Sequence, residues 1–182
     1  MAVNRAVHIL PIALMLGVTL PLCLAGCGDP DPSAMLRDDG GDDLEFTIGG
    51  RLFHVGSAAA RVVNNVLSLN FTDQPDACLA VTQVPAGAST IFTLRVAAQG
   101  DGTGRADVIA PQDFTAPGPG QAMGKLYWQT GGTITTSLDT VNGSVTWTMN
   151  AGGSIDVAKL DAGFTGAPER VGISALHLAL CP

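Results

Sequence analysis

The chain has 182 residues, 9 Lys and Arg against 16 Asp and Glu, a formal net charge of −7, and 23 glycines against two Trp, one Tyr and six Phe. An acidic balance with no run of basic residues excludes a phosphate-binding surface built from consecutive side chains, so no nucleic-acid partner is expected. The length suits one domain with a buried core behind an N-terminal leader, and the many glycines suit a small β domain with tight turns.

The first element is the leader. Met1 to Arg5 carries one basic side chain, and Ala6 to Leu24 contains no Asp, Glu, Lys or Arg, which is a signal-peptide profile. A membrane-spanning helix would need a similar run, but Pro11 and Pro21 would each remove a helical hydrogen bond, and the charges that follow are acidic. The run closes on Leu24-Ala25-Gly26-Cys27. This motif resembles the lipobox of bacterial prolipoproteins, in which a branched apolar residue and two small residues precede the cysteine that is acylated. The resemblance implies a signal peptide over 1–26, cleavage before Cys27, and a membrane partner reached through acyl chains on that thiol. It also implies an outer-membrane address, because Gly28 rather than Asp follows the cysteine. Residues 27–43, with six aspartates and little to bury, read as a solvated acidic tether. The Asp38–Asp43 cluster lacks EF-hand spacing, so no calcium site is assigned to it.

From residue 44 to 182 the pattern is that of an all-β domain. Leu44 to Val55 predicts a hairpin about Gly49-Gly50, with Phe46 opposite Phe53 and Leu44 opposite Val55. Val66 to Phe71 places Leu67, Leu69 and Phe71 on one face, and Ile91 to Val96 does the same with Phe92, Leu94 and Val96. Gly100 to Asp107 reads as a glycine-rich hairpin turn rather than a calcium loop, and Pro111 to Gly120 as a surface crossing. Three strands are expected next: Gly124–Gln129, Thr133–Leu138 and Val145–Met149, with turns at Gly131-Gly132 and Asn142-Gly143. A three-residue first turn is preferred, because it pairs Trp128 with Ile134 and then sets Leu138 opposite Trp147. Ile155–Phe164 and Val171–Leu180 complete the set, the last as a central strand. The expected fold is a single antiparallel β-sandwich or small barrel of about eight to ten strands.

Of the four cysteines, Cys23 falls in the leader and Cys27 is the lipidation site, leaving Cys78 and Cys181. In an oxidising compartment these two are expected to pair.

Signatures of catalysis are missing: there is no GxSxG, HExxH, P-loop or dinucleotide fingerprint, and nothing nominates a metal or cofactor. His54 and His177 fall in predicted strands without a third catalytic member. Asp73 and Asp76 flank Pro75 and could supply paired carboxylates to a ligand, although capping of a turn explains them as well. Tyr127 is the aromatic residue expected to be exposed for ligand contact, Trp128 and Trp147 being assigned to the core. The segment Pro75-Asp76-Ala77-Cys78 with a terminal Cys181 resembles small bacterial lipoproteins that have an acidic tether. That likeness implies a disulfide-closed β domain and no activity. The expectation is therefore a non-catalytic envelope module binding a protein or glycan, with an envelope hydrolase or a structural assembly lipoprotein as alternatives.

Overall fold

The computed structural model describes residues 44–98, 102–114 and 116–182. The readings made on Cys27, on the acidic segment and on Asp101 lie outside them. Among the described residues the chain is nearly all strand. In chain order the elements are β1 (Glu45–Ile48), β2 (Arg51–His54), β3 (Ser57–Val63), β4 (Val66–Thr72), the short helix α1 (Ala77–Thr82), β5 (Ala88–Ala97), β6 (Gly102–Ile109), β7 (Gln121–Thr130), β8 (Thr133–Asn150), β9 (Ser154–Phe164) and β10 (Ala167–Ala179). Eight strands form one curled sheet in the order β10-β9-β8-β6-β7-β5-β4-β3, and β1 and β2 form a separate hairpin. The all-β expectation holds. One local exception to antiparallel pairing is β6 against β7, parallel over Asp107–Ile109.

The hairpin follows the sequence closely. Gly49 and Gly50 have φ of +59° and +73°, a pair of positive values that suits a two-residue primed turn. Phe46 pairs with Phe53, and the Val55 amide donates to the Leu44 carbonyl at 2.8 Å. Ile48 and Phe53 are buried in the core shared with the large sheet.

In β4 and β5 the alternation is regular. Leu67, Leu69 and Phe71 face inward opposite Val96, Leu94 and Phe92. Phe92 stacks on Phe71 at 5.7 Å and meets Phe164 of β9 edge-on at 5.4 Å. That second contact spans the inside of the curl, and such pairs add roughly 0.5–1.5 kcal/mol beyond burial.

The curl itself is written into the other strands as changes of phase. In β10 the buried residues are Val171 and Ile173, then Leu176 and Leu178, so the apolar parity switches from odd to even. The switch falls at Ala175, with φ +57°, which together with Ala158 of β9 is left out of the ladder without a shift of register. Its neighbour β9 switches at the same level, from Ile155 and Val157 to Leu160 and Ala162. β8 switches between Thr140 and Val145, with a register shift at Thr140/Asn142. These interruptions of the ladder bend the sheet into a half-barrel.

Two turn expectations are corrected here. Asn142-Gly143 is not a turn: β8 runs through it as one strand of 18 residues. Gly143 has φ +139°, and a Cβ there would lie 1.9 Å from the Asp161 carbonyl oxygen. Glycine is needed for the bulge and for the close approach of β9, which is a different use of the same residue type. The turn at Gly131-Gly132 has two residues, not three, so Gln129 rather than Trp128 pairs with Ile134. A bulge just inside it restores the phase, pairing Trp128 with Thr136 and Leu126 with Leu138. Trp147 accordingly pairs with Gly104 and Val157, not with Leu138.

Of the segment read as a glycine-rich turn, Gly102 to Asp107 belong instead to β6. Gly104 leaves room for the Trp147 ring, which a Cβ would approach to 2.3 Å. Strand β6 wedges in where β7 and β8 part, and the buried Thr140 fills the gap in the ladder. Its hydroxyl accepts from the Gly124 amide at 2.8 Å and donates to the Ile109 carbonyl at 2.9 Å, leaving neither backbone group orphaned.

Strand β10 is a strand as expected but lies at the end of the sheet order rather than in its centre. It meets β3, the opposite end, through one parallel bridge, Ala60 to Leu180, and the Cys181 amide donates to the Ala60 carbonyl at 2.7 Å. Beside that bridge Cys78 of α1 is disulfide-bonded to Cys181, with a sequence separation of 103. The pairing expected from cysteine arithmetic is the one present.

Candidate functional site

Strands β3, β4, β5 and β7 have an inner face in the core and an outer face that carries polar side chains. Antiparallel register decides which of these meet. Arg61 pairs with Ser68 and Ser68 with Arg95; in the adjoining rows Asn70 pairs with Thr93, Thr93 with Lys125, and Ile91 with Tyr127. Residues distant in sequence are thereby gathered on one surface.

Two segments turn this surface into a groove of about 780 Å³. On one side the end of α1 and the residues after it, through Pro85, stand over the floor. Helix α1 exists because Asp76 caps it, its Oδ1 accepting from the Leu79 amide at 2.9 Å. On the other side Phe114 and Ala116, which follow β6 in the chain, stand over the sheet. The Arg95 guanidinium holds Phe114 there, donating to its carbonyl and lying 4.4 Å from the ring centroid. Lys125 Nζ is 5.8 Å from the same ring and 3.3 Å from Asp139 Oδ1, an ion pair without hydrogen-bond geometry.

The floor carries polar side chains that are hydrogen-bonded to their neighbours. Thr93 Oγ1 donates to Asn70 Oδ1 at 3.0 Å, and Gln129 Nε2 donates to Ser89 Oγ at 3.0 Å. Burial pushes the Tyr127 hydroxyl above its ordinary pKa, an effect partly opposed by the nearby Arg95 charge and by a hydrogen bond with the Thr93 side chain. At neutral pH it is therefore a neutral phenol with a fixed partner.

Of the residues nominated from sequence, Tyr127 lines this groove, and Asp73 and Asp76 do not. Asp73 Oδ2 accepts from the Thr90 amide at 2.8 Å and its Oδ1 from Gln74 Nε2 at 2.9 Å. Both carboxylates serve the turn that launches α1. Arg61, Arg95 and Phe114 were not singled out from the sequence. The signal that could have found Arg61 is Asn64-Asn65 between Val62-Val63 and Val66-Leu67, a hairpin cue that predicts β3; the two asparagines have φ of +51° and +60°.

The histidines do not meet each other. His54 is the cross-strand partner of Glu45, with Nδ1 3.2 Å from its carboxylate, and His177 is the partner of Asp156 at 2.5 Å. Hydrogen bonds from Asn150 and His177 hold the Asp156 carboxyl below its usual pKa. Both pairs are surface-exposed, neither lines the groove, and no serine hydroxyl is hydrogen-bonded to either imidazole among the described residues. Nor does any group of three His, Cys, Asp or Glu side chains converge among them. No helix among the described residues is long and apolar enough to cross a membrane.

Neither a protein-family model, nor a curated protein, nor a solved structure matches the chain.

Proposed function

We propose that the chain is an exported lipoprotein, anchored through an acylated Cys27, whose β domain is a non-catalytic module binding an envelope glycan or protein. The observation that carries the binding reading is the groove over β3, β4, β5 and β7. It combines a pre-bonded polar floor with aromatic side chains and two covering segments, the composition expected of a recognition surface. The hydrolase alternative has less support, because each histidine is committed to an exposed cross-strand carboxylate outside the groove. The anchor rests on Leu24-Ala25-Gly26-Cys27, and an exported, oxidising location is in keeping with the Cys78–Cys181 bond.

Two measurements on the full chain extracted from membranes test the two halves of this proposal. Intact mass should show a chain beginning at Cys27 with added acyl mass; a chain retaining residues before Cys27 without acylation removes the anchor. Hydrogen exchange with and without solubilised envelope polysaccharide and protein fractions should show protection at 61–70, 93–95, 125–129 and around Phe114. Protection elsewhere, or none, removes the groove as the binding surface.

A further inference from the structure

Charge in the groove runs against the charge of the molecule. The chain has 16 acidic and 9 basic residues, yet Arg61, Arg95 and Lys125 line the groove and, among the described residues, no carboxylate does. The acidic side chains on the same elements stay outside the lining: Asp139 touches Lys125 from β8, and Asp113 precedes Phe114 in the crossing.

The three cations differ in what they already do. Arg95 seats Phe114, and Lys125 is shared with Asp139 and the Phe114 ring. Arg61 has no hydrogen bond or ion pair with another described residue. Because Arg61 and Arg95 flank Ser68 on adjacent strands, they sit roughly 10 Å apart at ordinary strand spacing. An anion beside Arg61 would gain charge-assisted hydrogen bonds from a guanidinium that has no other partner among the described residues.

The rest of the lining narrows what carries the anion. Ser68, Asn70 and Thr93 line it with hydroxyl and amide groups, Asn70 and Thr93 being held by their mutual bond and the Asn70 amide also reaching the Ser68 carbonyl at 3.4 Å. Tyr127 adds a ring with a polar edge three strands across and four residues along from Arg61, a span of roughly 20 Å. Such a floor, with the apolar side chains of Val81, Val84 and Ile134 along the same groove, matches a chain of hydroxylated rings, whose faces are apolar and whose edges are polar. We propose that the groove binds an anionic saccharide, its carboxylate or phosphate at Arg61 and its sugar rings running over the Asn70–Thr93 pair toward Tyr127. This rests on the groove being the binding surface and adds the class of ligand.

Calorimetric titration of the detergent-solubilised full chain tests it. The probes are tetragalacturonate and a mannose 6-phosphate tetrasaccharide, which separate a carboxylate from a phosphate source; galactotetraose, inorganic phosphate and tetra-aspartate are the controls. At least one anionic saccharide should bind, more weakly as salt rises, and Arg61→Gln should lower its affinity about tenfold or more. Lys159→Gln, on the exposed face of β9 outside the groove, should leave it unchanged, and matching thermal melts establish that both variants fold. Equal binding of galactotetraose with a silent Arg61→Gln would overturn the charge requirement while leaving the groove as a binding surface. Inorganic phosphate or tetra-aspartate binding as well as the saccharides would overturn the saccharide. Failure of every probe overturns the proposal, and the exchange experiment above then decides separately whether the groove binds anything.

Discussion

The two ends of the large sheet are built differently. Strands β3, β4, β5 and β7 keep one register over most of their length, so the alternation written in the sequence becomes an apolar inner face and a polar outer one. Strands β8, β9 and β10 each change parity part-way, and these interruptions of the ladder supply the bend. A regular region can present a broad, flat array of side chains; a bulged region can turn a corner. The molecule uses the first for its groove and the second to close a core around Phe92 and Phe164.

The disulfide joins the two regions, and removing it should have the largest effect. Cys78→Ala with Cys181→Ala releases a loop of 103 residues and should cost about 4 kcal/mol in denaturant titrations. Hydrogen exchange should accelerate first at α1 and at the Ala60–Leu180 bridge. An unchanged unfolding midpoint would mean that the two ends hold together without the bond.

Gly143→Ala probes the bend directly. With φ +139° and an added Cβ 1.9 Å from the Asp161 carbonyl, it should destabilise by about 3 kcal/mol, whereas Gly152→Ala, where a Cβ meets open space, should be nearly silent. Equal midpoints for the two variants would return Asn142-Gly143 to the role of an open turn.

Ala175→Gly should act in the opposite sense. A non-glycine residue at φ +57° carries a left-handed penalty of about 1 kcal/mol that glycine avoids, so the variant should match or exceed the parent's stability. A clear loss would place the β10 parity switch at another residue.

The smallest effect concerns acid. Arg170 Nε donates to Asp161 Oδ1 at 2.7 Å, its Nη1 donates to Asn142 beside the bulge, and the Arg170 hydrogen bond holds the Asp161 carboxyl below its usual value. A folded-state pKa below the unfolded one contributes stability above the unfolded pKa, and that contribution is lost as pH falls through the folded value. Asp161→Asn should therefore flatten the acid limb of the stability curve below about pH 4, by less than about 1 kcal/mol because the pair is exposed. An identical acid limb in both proteins would assign acid sensitivity to other carboxylates.

Most of the fold was legible where local chemistry had one outcome. The Gly49-Gly50 hairpin, the inward faces of β4 and β5, and the Cys78–Cys181 pairing follow from turn residues, alternation and the count of remaining thiols. It failed where one signal admits two structures. Asn-Gly serves a turn or a bulge, and only the approach of Asp161 decides between them. Ser57 to Val63 is not legible as a strand from its own residues, because three alanines carry little strand preference, although the Asn-Asn turn after them marks a hairpin.

The candidate site divides in the same way. Sequence alone determined an acidic chain with a lipobox-like motif, an all-β domain, a paired disulfide and Tyr127 as a candidate contact. It could not show a basic surface, because Arg61, Arg95 and Lys125 are separated by some thirty residues at each step and form no run. Strand register decided that, since only the pairing of β3 with β4, β4 with β5 and β5 with β7 sets those side chains on one face, and the α1 segment and the Phe114 crossing then enclose them.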